Sequence, residues 1–184
     1  MRISREQAQE NHDRVVTTAA KLFRERGFDG VAVGDLMKAA GFTHGVSTTT
    51  SSPRTSSRGG PGPGLPPDGR AAARVESLDE LLTQYLSDAA RRAPGRACPA
   101  AALAGDASRQ GAGEAGLRAG LRADGGLDGG PPARGPQARG EAIALLSRMV
   151  GALALARAMP EDSDLGREVL AAALAGCRKD VARA

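Results

Sequence analysis

The run Val33-Gly-Asp-Leu-Met-Lys-Ala-Ala-Gly-Phe-Thr-His-Gly45 decides how the rest of this chain is read. Its apolar residues Val33, Leu36, Met37 and Ala40 recur at helical spacing, which predicts a short helix over about 33–40. Gly41 is placed to end that helix, Phe42 to drop into the groove beside the helix before it, and Thr43 to cap a helix to come. The preceding helix is expected over 11–27. Val15, Val16, Ala19, Leu22 and Phe23 make its apolar face, with Arg14, Lys21, Arg24 and Glu25 mostly off it. Asn11 stands where an N-cap would, and Gly27, followed by Phe28, where a C-terminal glycine would.

Beyond Gly45 the pattern collapses. Residues 46–70 hold five Ser, four Thr, five Pro and five Gly, so turn and linker residues fill 19 of 25 positions. Such a stretch buries too little apolar surface to offset its ordering entropy and reads as disordered. Helical signal returns over about 74–92, where Val75, Leu78, Leu81, Leu82, Tyr85 and Leu86 form one stripe that Pro94-Gly95 breaks. An alanine-rich helix is expected from Pro99 to about Gln110, with Pro99 in its first turn. Residues 111–137, with nine Gly and three Pro, lose periodicity again. Two long helices follow. The first covers 138–159 (Ile143, Leu145, Leu146, Met149, Val150, Leu153, Leu155) and stops at Pro160; the second, capped by Ser163 or Asp164, runs to about Val181 through Leu165, Val169, Leu170, Leu174 and Cys177. The expected fold class is all-α, divided into 1–45, a segment 46–73, and a helical region 74–184.

Composition bounds the function classes. The 184 residues are 41% hydrophobic, and only Phe23, Phe28, Phe42 and Tyr85 are aromatic, so the core is thin. No apolar run approaches the roughly 18 residues of a membrane span. The opening Met1-Arg-Ile-Ser-Arg-Glu has no apolar signal region, and Cys98 and Cys177 cannot build a disulfide framework or a four-ligand zinc site. A cytoplasmic chain with reduced thiols is the expectation, Cys98 and Cys177 reading as small buried hydrophobes and Met149 and Met159 as core fillers. The net charge of +4 is concentrated: residues 46–74 alone contribute +3, through Arg54, Arg58, Arg70 and Arg74 against Asp68. Bulk charge therefore says little about partners. His12 and His44 are scattered, and there is neither a Gly-rich phosphate loop nor a Ser/His/Asp or paired-carboxylate constellation, so no enzyme, cofactor or metal is expected.

A helix followed by the 33–45 run has the form of the first part of a helix-turn-helix, in which a glycine permits the tight turn and the next helix enters the major groove. The run resembles the tetracycline-repressor (TetR) family of bacterial one-component regulators. The residues that carry the resemblance are Leu22-Phe23 with Gly27-Phe28, then Asp35-Leu36, Ala39-Ala40-Gly41-Phe42-Thr43 and Gly45, over about 35 residues. Cys98-Pro99-Ala-Ala-Ala-Leu103 and Ser147-Arg-Met-Val-Gly-Ala-Leu153 look like C-terminal segments of one branch of that family. Two departures stand out. Val31-Ala32 occupies the place where the family often has Thr-Ser to cap its second helix. Val46-Ser-Thr-Thr-Thr-Ser-Ser-Pro-Arg-Thr-Ser-Ser57 replaces a Tyr-x-His/Tyr-Phe stretch and a Ser-Lys-Glu-Glu-Leu helix start.

The genetic code accounts for the second departure. Reading the codons of Gly45 to Ser57 from the third base of each into the next permits Gly-Leu-Tyr-Asn-His-Phe-Ile-Ser-Lys-Asp-Glu-Leu, the missing motif in order and without a gap. This predicts a one-base frameshift after about Gly45, compensated before about Arg74. The Gly/Ala/Pro/Arg-rich residues 111–137 read as a second such patch, since a GC-rich gene yields that text out of frame.

The resemblance implies an N-terminal DNA-binding domain joined to a helical ligand-binding and dimerisation domain, a repressor that binds a palindromic DNA operator and releases it to a small-molecule effector. It places Lys38, Gly41, Phe42, Thr43, His44 and Gly45 at the DNA. Taken singly, Lys38 and Arg14 read as solvated helix charges, Thr43 as a cap and His44 as a loop histidine; in the resemblance Thr43 and His44 sit where backbone phosphate is contacted. A homodimer through 138–181 is implied, for which Leu146 and Leu170 are expected to face outward. Residues 111–137 would fall on helices lining the effector pocket. The alternative is a helical dimerisation module without sequence-specific DNA binding, because Thr48-Thr49-Thr50 and Pro53 stand in the place of the recognition helix.

Overall fold

A computed structural model describes residues 4–42, 76–96, 98–110 and 136–182. Among them every regular element is helical: α1 (Arg5–Arg26), α2 (Val33–Ala39), α3 (Leu78–Tyr85), α4 (Asp88–Arg92), a 3-10 turn (Pro94–Arg96), α5 (Pro99–Gln110), α6 (Pro136–Ala158) and α7 (Asp164–Val181). The fold is all-α. The segment 46–73, with its expected disorder and altered frame, lies outside the described residues, as do residues 111–135.

Local chemistry sets most helix ends. α1 begins at Arg5, because the Ser4 hydroxyl accepts the Gln7 N–H at 3.1 Å. Asn11, expected as the cap, is interior, and its side chain accepts from Arg14 at 3.0 Å. The extra turns, Arg5-Glu-Gln-Ala-Gln-Glu, carry no apolar stripe; straight-chain helix formers extend the helix without one. The single helix expected over 74–92 is two. Ser87 takes an extended backbone and its hydroxyl accepts the Ala90 N–H at 3.0 Å, which stops α3 and starts α4. Pro136 opens α6 two residues before the expected start, a position where proline gives up no helical hydrogen bond. Ser163 caps α7 as expected.

Two apolar clusters hold these helices. Ala19, Leu22 and Phe23 of α1, Leu36 of α2 and the connecting Phe28 and Val31 form the first, with the Phe23 and Phe28 rings edge to face at 5.5 Å. Leu82 and Leu86, Met149, Ala152, Leu153 and Ala156, and Leu170 and Cys177 form the second, between α3, α6 and α7. Leu153 is fully enclosed, a burial that contributes about 1.5–3 kcal/mol. Leu170 does not face outward: it is 3% exposed inside this cluster, because α7 turns that position toward α6. Cys177 is buried, and burial pushes its thiol up from the ordinary value. Cys98 is only half-buried, ahead of α5 rather than within a helix face.

The two clusters meet through α5. Leu103 packs against the first cluster and Ala101 against the second. The Phe28 N–H donates to Asp106 of α5 at 3.0 Å, and Arg24 of α1 donates through Nε to the Gly95 carbonyl at 2.9 Å.

Candidate nucleic-acid interface

The turn after α2 is built by its own sequence. Gly41 has φ of 80°, a conformation that costs an L-residue about 1–2 kcal/mol. That twist lets the Gly41 N–H reach the Lys38 carbonyl at 3.0 Å and the Phe42 N–H reach the Met37 carbonyl at 2.8 Å. These paired bonds are the Schellman arrangement, which satisfies the last carbonyls of a helix. At the other end Ala32 supplies no side-chain cap, since its methyl group offers no acceptor.

The same turn gathers three of the expected site residues. Lys38 is exposed in the last turn of α2, Gly41 is exposed, and Phe42 is half-buried. Phe42 does settle against α1, but its partner there is a cation: the Arg14 guanidinium lies over the ring, 5.2 Å from its centre. Arg14 lies beside the turn and stays exposed, as expected of a solvated helix charge. Only the spacing of Phe42 from the helix end hints at this in the sequence. Thr43, His44 and Gly45 lie outside the described residues. The described part of the candidate site thus comprises two exposed cations, Arg14 and Lys38, on the elements around a fixed glycine turn. Such groups contact phosphates and carry no base specificity by themselves.

Two further polar groups, missed by periodicity, join this unit to the rest. Asp106 accepts the Phe28 N–H just after α1 and also pairs with Arg109. Arg24 is partly desolvated in the junction, and burial lowers its pKa from the usual arginine value while Glu25 and Cys98 act in the opposite sense. Their partners lie more than seventy residues away in the chain, so no local pattern announces them.

In the helical region a cavity of about 400 Å³ opens between the start of α3, the first third of α6 and the end of α7, lined by Leu78, Leu145 and Val181 with Glu141 and Asp180 among its polar groups. Among the described residues no group of three or more His, Cys, Asp or Glu is placed to hold a metal ion. No helix there is long and apolar enough to cross a membrane. Compared with known proteins, the chain matches no family model and no curated protein.

Proposed function

We propose that this chain is a DNA-binding transcriptional regulator of the tetracycline-repressor type, a repressor whose base-reading capacity is impaired. The observation that carries the reading is the α2 turn. Gly41 closes α2 with a Schellman cap where the helix-turn-helix pattern requires a tight turn, and Arg14 stacked on Phe42 sets a cation beside Gly41. A homodimer through 138–181 and a small-molecule effector belong to the same reading. Exposed Ile143, Leu155 and Leu165 on α6 and α7 support the dimer, since apolar side chains of that size left open on neighbouring helices favour a two-fold partner.

Base readout needs side chains projected from a formed recognition helix. Thr48-Thr49-Thr50 followed by Pro53 has low helix propensity, and this favours the second reading, a dimerisation module without specific DNA binding. Fluorescence anisotropy at physiological salt separates the two. Duplexes are first selected from a random pool by a chain whose residues 46–73 are restored to the alternative frame. The restored chain is expected to bind them at least ~10³-fold more tightly than scrambled duplexes. The unaltered chain is expected to bind both weakly, with steep salt dependence. Tight selective binding by the unaltered chain refutes the impairment, and failure of the restored chain to select any duplex refutes the regulator.

A further inference from the structure

A concave surface that leaves apolar side chains open to water beside an unanswered charge suits a ligand that covers both. The cavity between α3, α6 and α7 is such a surface, and its volume of about 400 Å³ is within the range that small organic molecules fill. Two of its walls stay open where a closed core would have covered them. Leu78 at the start of α3 is 43% exposed and Val181 at the end of α7 is 38% exposed. Leu145 of α6 makes the third wall and packs in turn against the apolar cluster that holds Leu82 and Leu153. Ala142 and Ala144 keep the α6 side low, since a methyl leaves open the space that a longer side chain would take.

The charged part of this lining has one sign. Glu141 and Asp180 border the cavity, and no Lys, Arg or His does. Asp180 is answered by Arg148 of α6, which pairs with it. Asp79, next to Leu78, is answered by Arg178 at 2.6 Å. Glu141 differs. Its Oε1 accepts from the neutral Gln137 side chain at 3.2 Å, and among the described residues no cation pairs with it. An uncompensated carboxylate on an apolar bed matches a ligand with a single positive charge on a carbon body. An acid would meet Glu141 as a like charge, and a dication would find no second free carboxylate. Two residues along α6 turn the helix by about 200°, so this cavity faces away from Ile143, one of the exposed positions that support the dimer.

We propose that the cavity between α3, α6 and α7 binds a small organic cation, its ammonium group meeting the Glu141 carboxylate and its carbon body covering Leu78, Leu145 and Val181. That this ligand is the effector rests on the regulator reading above; the binding itself rests on the cavity and Glu141.

The test uses the full chain without DNA, at constant ionic strength and about pH 7, where an alkylamine is charged. Hexylamine and phenethylamine are titrated by calorimetry, each against the corresponding alcohol and carboxylate (hexanol and hexanoate, phenethyl alcohol and phenylacetate). At least one amine is expected to bind about fivefold more tightly than its alcohol, the strength of an exposed ion pair, and its carboxylate no more tightly than the alcohol. Glu141→Gln should bring the amine down to its alcohol, the same loss of about fivefold. Ala144→Leu fills the cavity and should weaken amine and alcohol alike. Glu168→Gln, which removes an exposed carboxylate elsewhere on α7, should change neither. Positions 141 and 144 are exposed, and the amine-against-alcohol comparison needs no variant. The proposal is overturned if no amine binds at millimolar concentration, or if alcohols or carboxylates bind as well as amines. It is also overturned if folded Glu141→Gln or Ala144→Leu binds undiminished, or if Glu168→Gln weakens binding as much as Glu141→Gln. An amine affinity that falls as protein concentration rises gives the cavity to a second copy of this chain and overturns it as well. Amine binding in a chain whose restored form selects no DNA keeps this site and removes the regulator. Selective DNA binding without amine binding does the reverse.

Discussion

Gly27 and Gly41 both end their helices with positive φ, 73° and 80°, yet alanine at the two positions should cost different amounts. Both carry strain, and the figure for the left-handed helical region is a floor at Gly27, whose ψ of 173° is essentially confined to glycine. An L-residue in this region loses about 1–2 kcal/mol, and the reduced freedom of the unfolded chain returns about 0.4–1 kcal/mol, leaving about 1 kcal/mol net. At Gly41 nothing is added, because the nearest atom to an added Cβ is Arg14 Nη1 at 3.9 Å. At Gly27 the Cβ falls 2.6 Å from Asp106 Oδ2, the atom that accepts the Phe28 N–H. Asp106 must swing away and that bond is lost, a further cost of about 1.5 kcal/mol for a half-buried charged acceptor. Gly41→Ala should therefore destabilise by about 1 kcal/mol and Gly27→Ala by at least about 2.5 kcal/mol. Asp106→Ala alone should cost about 1.5 kcal/mol, its exposed pair with Arg109 adding little. The double variant should also cost about 2.5 kcal/mol rather than the sum of the two, a coupling of about 1.5 kcal/mol. Urea unfolding followed by far-ultraviolet circular dichroism measures all four. Equal costs at Gly27 and Gly41, or an additive cycle, would refute the argument that Asp106 holds the end of α1.

Other consequences are direct. Leu155→Glu, at a position 58% exposed, should convert the proposed dimer to a monomer without loss of helicity, read by sedimentation; the same change at Leu170 should unfold the chain instead. A monomeric unaltered chain would count against the dimer. Arg91→Met leaves the Pro160 and Glu161 carbonyls without their charged donor, while Asp88 keeps its pair with Arg92, and should cost about 2 kcal/mol in urea unfolding. Arg178 donates to both oxygens of Asp79, at 2.6 and 2.8 Å, and this bonding holds the Asp79 carboxyl below the usual carboxylate range. Because the folded value is the lower one, the tie between α3 and α7 contributes above about pH 4 and is lost as pH falls further. Asp79→Asn should therefore show a shallower loss of thermal stability between about pH 4 and pH 2 than the unaltered chain; an identical acid limb would refute the linkage.

What the sequence determined by itself was whatever a few neighbouring residues settle among themselves. Gly27 and Gly41 stop α1 and α2, Pro99 opens α5, Pro160 ends the α6 segment and Ser163 starts α7, since each acts through its own backbone or a hydroxyl three residues from its target. The three-residue core of the proposed interface, Lys38, Gly41 and Phe42, was legible for the same reason. Tertiary structure decided the rest. Helical spacing alone does not say which side of an alanine-rich helix is inward, so Leu170 went to the core while Leu155 and Leu165 stayed open. Nor does it reveal that Arg14 covers Phe42, that Asp106 holds Phe28, or that Arg157 crosses to Ala90 with donors left over. Those contacts join residues 28 to 78 positions apart, and their strength depends on burial, a property of the packed chain that no residue carries alone.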